Sequence, residues 1–216
     1  MSELLVKGGL AYLLGAIIGS LVIARLTGGV DIRTLGSGNA GATNALRVVG
    51  RKLAFWVLLV DVAKGWIATR WLAPWAIPGI APALPELEAW CVPVCGMAVM
   101  LGHVYPVWFG FRGGKGFATL LGTVLGISAW LLLPMTLTWL IAVILFGFVG
   151  LASILSAVAL AAWIGLTNSG APLLTFGILS AVLVTFTHRS NIARMRAGTE
   201  SRARRLWLFG TRRGQA

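Results

Sequence analysis

Seven apolar runs constrain this chain more than any other feature. They fall near residues 8–24, 53–73, 89–107, 117–133, 135–149, 151–167 and 172–188, each close to the length a helix needs to cross a bilayer. Only 11% of the 216 residues are charged and 58% are hydrophobic; a soluble domain carries roughly a quarter charged residues. The sequence therefore reads as an all-α integral membrane protein, one domain over 1–216. The stretch 135–166 is too long for one span of roughly 20 residues, and a turn at Gly147 and Gly150 divides it. Fusing it instead gives six spans.

The basic residues decide between seven spans and six. Arg25, Arg33, Arg47, Arg51 and Lys52 lie in the loop 25–52, and Arg112 and Lys115 in the loop 108–116. Eight more arginines lie in the tail 189–216, so only Lys7, Lys64 and Arg70 of the 18 basic residues stand elsewhere. With seven spans all three basic segments share one side, which the positive-inside bias makes cytoplasmic. The N-terminus and the loop 74–88, with Glu86 and Glu88 and no Lys or Arg, are then outside. Six spans put the tail opposite the other two. The net charge of +12 is thereby assigned to anionic lipid rather than to nucleic acid. Lys7 ahead of an apolar stretch mimics a signal peptide, but the run continues to Arg25 without a small-residue cleavage pattern and reads as a retained first span. Cys91 and Cys95 have no His or carboxylate beside them and read as core.

Three polar segments fall on that cytoplasmic side. In the first, Gly36, Gly38 and Gly41 free the backbone, and Ser37, Asn39, Thr43 and Asn44 supply polar groups. Arg47 follows one helical turn after Thr43. The formal G-x-G-x-x-G lacks the βαβ setting of a dinucleotide site. What remains is a loop feeding a short helix that aims N–H groups and Arg at an anion, or an ordinary Gly/Asn turn. The second contains Arg112, Gly113, Gly114, Lys115 and Gly116 directly before the fourth span. Phe109 and Gly116 exclude a Walker A loop, yet glycine amides and a cation still favour an anion. His103, near the inner end of the third span, is equally a structural or a functional residue. In the third, His188, Asn191 and Arg194 recur at i, i+3 and i+6, with Glu200 following. A continuing helix puts the first three roughly on one face; the alternative is an Arg-rich membrane exit. Within the second span Asp61 and Lys64 stand i, i+3. Intramembrane charges cost about 2.5–3.5 kcal/mol each on insertion scales, and pairing lowers that cost, so they read as a supporting pair.

Together GSGNAGATN with Arg47, DVAKG, GHVYP, GGKGFAT and HRSNIARMRAGTE resemble the bacterial acyl-phosphate:glycerol-3-phosphate acyltransferase family of integral membrane enzymes. Their order and spacing match over nearly the whole chain. The resemblance implies acyl transfer from acyl phosphate to the 1-hydroxyl of glycerol 3-phosphate, giving 1-acylglycerol 3-phosphate and phosphate at the cytoplasmic face of the bacterial inner membrane. It implies Ser37, His188 and Asn191 as catalytic residues. Gly38, Asn39, Thr43, Asn44, Arg47, Gly113, Gly114, Lys115, Gly116, Ser153 and Arg194 would bind substrate, with Asp61, Lys64, His103 and Glu200 in support. Neither metal nor other cofactor is expected, and an enzyme that makes acyl phosphate is an implied partner. His188 stands as either proton acceptor or hydrogen-bond donor, and the substrate phosphate is a second proton acceptor. Gly150 and Ala152 replace family serines ahead of Ser153. The His-x4-Asp pattern of thioester-dependent acyltransferases is absent, since Trp108 and Ala193 occupy the fifth positions after His103 and His188. The rival reading is a transporter for a phosphorylated solute, which would place its site at the midplane between repeats.

Overall fold

The computed structural model describes residues 1–204 and 206–209. Every regular element among them is helical. In chain order the α-helices are α1 (Ser2–Gly15), α2 (Gly19–Thr27), α3 (Ala42–Val48), α4 (Arg51–Ile67), α5 (Pro85–Glu88), α6 (Cys91–Val104), α7 (Phe117–Ile127), α8 (Leu132–Phe146), α9 (Val149–Leu166), α10 (Ala171–Thr187) and α11 (Arg189–Arg196), with short 3-10 or π turns between some of them. Of the tail expected over 189–216, residues 205 and 210–216 lie outside the described residues.

By length and composition three stretches suffice to cross a membrane: Cys91–Phe109, Ala129–Phe146 and Val149–Leu166. Two bent pairs raise the number to five, Ser2–Gly15 with Gly19–Leu26 at 49° and Ala171–Thr187 with Arg189–Arg196 at 52°. The other two expected spans do not meet that measure. α4 carries Arg51, Lys52, Asp61 and Lys64, and α7 has only 11 residues.

Several expected boundaries move. The first run, expected as one span over 8–24, is interrupted between Gly15 and Gly19. A broken helix leaves carbonyls without their i+4 donors, a serious cost away from water. Here the Lys64 ammonium meets the Gly15 and Ile17 carbonyls at 2.9 and 2.8 Å. The fourth run, expected over 117–133, stops at Ile127. Ser128 is extended, a 3-10 turn covers Ala129–Leu131, and α8 starts at Leu132. Pro134 thus falls in the first turn of α8, where its missing N–H costs nothing. Gly147 makes the expected turn between α8 and α9, at φ +77°, while Gly150 belongs to α9 itself.

Lipid tails are as apolar as Leu, so close packing rather than water exclusion holds such helices together. Glycines at two crossings permit it. A Cβ on Gly122 of α7 would stand 1.9 Å from the Val62 carbonyl oxygen of α4, and one on Gly102 of α6 2.0 Å from that of Tyr12 in α1. Met100, Leu120, Leu160, Phe176 and Val184 join α6, α7, α9 and α10 in one core. α8 stands at the periphery, with Leu137, Leu140 and Ile141 exposed.

Candidate active site

The three polar segments meet at one end of the helix bundle, joined by side-chain hydrogen bonds between residues distant in sequence. Asp31 caps the turn Ile32–Thr34 by accepting from the Arg33 amide at 2.9 Å. It also binds the Arg33 guanidinium, with Nη2 to Oδ2 at 2.6 Å. These hydrogen bonds hold the Asp31 carboxyl below the usual carboxylate range. From that clamp Arg33 Nη1 donates to the carbonyls of Phe109 and Arg112, at 3.0 and 2.9 Å. Arg33 therefore joins the first polar loop to the second.

In the first loop Asn44 is spent on the loop itself. Its Nδ2 donates to the carbonyls of Ile32, Leu35 and Asn39 at 2.9, 3.0 and 3.0 Å. Its Oδ1 accepts from the Ser37 amide and hydroxyl at 2.9 and 3.1 Å. Asn44 is 2% exposed and its polar atoms are engaged within the loop, and it also lines the cavity where substrate contact is expected. Asn39 accepts from the Gly41 amide at 2.9 Å, fixing the entry to α3. Thr43 and Arg47, four residues apart, present one exposed face of α3 to a cavity, and Arg47 has no ion-pair partner among the described residues. Gly38 stands at φ +70° in the turn ahead of them.

The second loop also differs from expectation. The Gly113 and Gly114 amides donate to the carbonyls of Val104 and His103, both at 3.1 Å. They cap the end of α6 and are not free to cradle a phosphate. Both glycines lie against His103; a Cβ on Gly114 would stand 2.1 Å from its Nε2. Gly116 and Lys115 do line the cavity. The Lys115 carbonyl accepts from Thr187 Oγ1 at 2.9 Å, and its ammonium donates to Asn191 Oδ1. Burial first, then the cations of Arg194 and Arg47, push the Lys115 pKa down to about 8, against the pull of Glu200.

Beneath His103 lies the expected supporting pair. Lys64 Nζ is 3.0 Å from Asp61 Oδ1 and 2.8 Å from His103 Nδ1, and all three residues are at most 3% exposed. Asp61 Oδ2 has no hydrogen-bond partner among the described residues. This cluster binds the α1–α2 break, α4 and α6 into one unit under the Lys115 loop.

In the third segment the helix does not continue straight; it bends at His188 between α10 and α11. His188, Asn191 and Arg194 nevertheless all line the cavity. His188 Nδ1 is 2.8 Å from the Val184 carbonyl. A carbonyl only accepts, so Nδ1 carries the proton and the neutral ring leaves Nε2 as an acceptor. Asn191 bridges Lys115 and Glu200, with Nδ2 to Oε1 at 2.7 Å, and Glu200 Oε2 accepts from Arg194 Nε at 2.6 Å. A Cβ on Gly150 would stand 2.9 Å from the Asn191 side chain, so Asn191 packs directly on the α9 backbone here and would have to shift for a larger residue. Ala152 turns away, into the packing with Ala142 and Val143. Ser153 lines the cavity while bonding back to the Val149 carbonyl at 3.0 Å.

The cavity these residues share is about 650 Å³. Its polar end holds Ser37, Thr43, Arg47, Lys115 and His188, together with Arg51. Sequence reasoning used Arg51 only for orientation. Phe55, Leu58, Leu121, Met135 and Trp139 give the lining a large apolar share, with Asp61, His103, Thr136, Ser153 and Ser156 among them. No polar motif marks the apolar share, because its residues are indistinguishable in type from the lipid-facing ones.

A helical membrane protein whose chamber joins a cluster of cations to a large apolar share of lining belongs to the class that handles a phosphate-bearing amphiphile. Comparison narrows that class. Residues 6–198 match the family model described as glycerol-3-phosphate acyltransferase, and the chain belongs to that family. A glycerol-3-phosphate acyltransferase of Coxiella burnetii (strain CbuG_Q212) is 41% identical over 198 residues, covering 90% of this chain and 95% of the relative. One of Geotalea daltonii (strain DSM 22248 / JCM 15807 / FRC-32) is 42% identical over 191 residues, covering 88% and 93%. Among solved structures, the glycerol 3-phosphate form of PlsY (YgiH), an integral membrane glycerol 3-phosphate acyltransferase, has a TM-score of 0.81 at 37% identity. It covers 92% of this chain and 94% of that one. The lysophosphatidic acid form of the same enzyme gives 0.79 at 36%, with the same coverage.

Proposed function

We propose that this protein transfers a fatty acyl group from acyl phosphate to the 1-hydroxyl of glycerol 3-phosphate. The products are 1-acylglycerol 3-phosphate and inorganic phosphate. The observation that carries the reading is the single cavity in which Arg47, Arg51 and Lys115 join a large apolar share of lining, because both substrates bear phosphate and one bears a chain. The relatives' glycerol-3-phosphate acyltransferase names and the two liganded forms of the solved neighbour support it.

The hydroxyl oxygen attacks the acyl carbon, a C–O bond forms, and the bond from that carbon to the phosphate oxygen breaks with its electron pair leaving on phosphate. Phosphate is already a good leaving group, so the site has to supply proximity and charge neutralisation rather than a covalent nucleophile. Arg47, Arg51 and Lys115 neutralise the phosphates. Thr43 and Ser37 orient substrate oxygens; among the described residues the Ser37 hydroxyl bonds to Asn44 and has no base beside it. His188 Nε2 receives the hydroxyl proton or a hydrogen bond from that hydroxyl, and the departing phosphate is the other acceptor. Asn191 holds the Lys115 ammonium in place, and Glu200 and Arg194 hold Asn191.

The seven-span layout belongs to the same proposal, with the N-terminus outside, the C-terminus cytoplasmic and the active site at the cytoplasmic face of the inner membrane. It is supported by the convergence of all three basic segments on one end of the bundle through Arg33 and Asn191. A soluble enzyme making acyl phosphate would supply the donor.

Purified protein in detergent, given acyl phosphate and glycerol 3-phosphate without added metal or thioester, should release phosphate and form the lysolipid. Product no greater than that of Lys115→Ala would refute the assignment. Cysteines placed at Gly36 and Thr199 should react with a membrane-impermeant maleimide only from the cytoplasmic side of inner-membrane vesicles. Reaction of either from the outer side would overturn the layout.

A further inference from the structure

Beyond α11 the chain turns at Gly198, φ +70°, and runs back across the turn that joins α8 to α9. This return, residues 199–204 and 206–209, lies past the residues 6–198 that match the family model. Its first part carries Glu200, and its middle grips the α8–α9 turn. The Ala203 amide donates to the Gly147 carbonyl at 2.7 Å. The Arg202 guanidinium lies over the rings of Phe148 and Trp207, 4.6 and 4.0 Å from their centroids. Trp207 is anchored in turn, because α8 ends at Phe146 and leaves its last carbonyls without helical donors. Trp207 Nε1 donates to the Leu145 carbonyl at 3.1 Å, and the Leu208 amide donates to that of Ile144 at 2.8 Å.

These contacts close a box around Asn191. One wall is Gly150 of α9, which follows Phe148 by two residues and lies against the Asn191 side chain. The other wall is Glu200, which precedes Arg202 by two residues and accepts from Asn191 Nδ2 at 2.7 Å. On its α11 side Glu200 is held by its own amide on the Arg194 carbonyl at 3.2 Å; Arg202 and Ala203 hold it on the other side. Stacking Arg202 on Phe148 therefore pins the two walls to each other. Asn191 Oδ1 accepts from the Lys115 ammonium, so the box sets where that cation points.

We propose that Arg202, seated over Phe148 and Trp207, is a positioning residue for phosphate binding that acts on Lys115 through Glu200 and Asn191. The inference rests on the acyltransferase reading above. The charged groups that bear on Lys115 are Arg194, Glu200 and Arg47, and the neutral His188 ring shares the cavity with them. Arg202 is not one of these groups, so it reaches Lys115 through geometry rather than through its own field.

That distinction sets the test. Glu200 favours the charged lysine, so a Glu200 free to swing away lets Lys115 lose its proton below about pH 8. Removing a cation acts with the opposite sign: with Arg202 simply deleted and nothing else moved, the ammonium holds its proton to higher pH. Arg202→Ala and Trp207→Ala should both lower the alkaline midpoint of kcat/KM. Both should also raise the KM for glycerol 3-phosphate roughly ten-fold, as loss of one hydrogen bond to a charged group does, with kcat changed less. Trp207→Phe keeps a ring under the guanidinium and should retain the wild-type midpoint. A midpoint that stays or rises in Arg202→Ala overturns the proposal. Arg202 is exposed, so its truncation leaves the packed core untouched. The pH dependence of Lys115 acetylation, read from peptide masses, gives the same midpoint without turnover. Should wild type form no lysolipid, the acyltransferase reading itself fails. A lower acetylation midpoint in Arg202→Ala then still supports the positioning of Lys115, and an unchanged or higher one overturns it.

Discussion

Lys115 should make activity fall with rising pH at an unusually low value. An exposed lysine keeps most of its charge up to about pH 10, but this ammonium is half-buried and flanked by Arg194 and Arg47, and its pKa is pushed down to about 8. A lysine with a depressed pKa loses its proton as pH rises through that value. It is then about nine-tenths charged at pH 7 and about one-tenth charged at pH 9. If only the cation binds phosphate, kcat/KM should drop about ten-fold between those two pH values. That ratio reports the groups of the free enzyme. Glycerol 3-phosphate does not supply the change, because a phosphate monoester with second pKa near ~6 is already a dianion above pH 7.5. The assay is phosphate release in detergent at limiting glycerol 3-phosphate across this range. Lys115→Arg, whose guanidinium does not titrate there, should abolish the alkaline fall in whatever activity it retains. A wild-type profile flat from pH 7 to 9 would refute both the depressed pKa and the phosphate role built on it.

Two further expectations concern the support beneath that lysine. Gly114→Ala puts a methyl group against the His103 ring, 2.1 Å from Nε2, and should cost about 1–3 kcal/mol through overpacking, seen as a lower midpoint in detergent thermal unfolding together with a large loss of kcat/KM. Were the variant as stable and active as wild type, the contact between the Lys115 loop and His103 would not matter. Lys64→Met leaves the Asp61 carboxylate and the Gly15 and Ile17 carbonyls without their buried partner. Breaking such a pair costs about 3–5 kcal/mol, so the protein should be recovered in much lower yield, and Lys64→Met with Asp61→Asn should restore part of it.

Much of the site's inventory was legible from residue type. Arg47, Lys115, His188 and Arg194 are charged or titratable groups at the ends of apolar runs, and all four face the cavity. What residue type does not reveal is whether a polar group is free or already engaged. Asn44, expected to contact substrate, does line the cavity, but its polar atoms are already bonded within the loop. The Gly113 and Gly114 amides look like an anion cradle and instead cap α6. Arg33 counted only toward orientation and is the clamp between two loops. The interruption of the first apolar run was equally hidden, because its cause is an ammonium about fifty positions away.

From its sequence alone this chain had to be a helical membrane protein with cationic glycine-rich segments on one side. Hydrocarbon tolerates only backbones bonded within themselves, and charge placement follows from the cost of burying it. Only the tertiary structure decided which cations face the chamber, which apolar residues share its lining and that the return beyond α11 forms part of its wall. Those outcomes depend on hydrogen bonds and close backbone approaches between residues dozens of positions apart, and neither apolar periodicity nor local propensity carries that information.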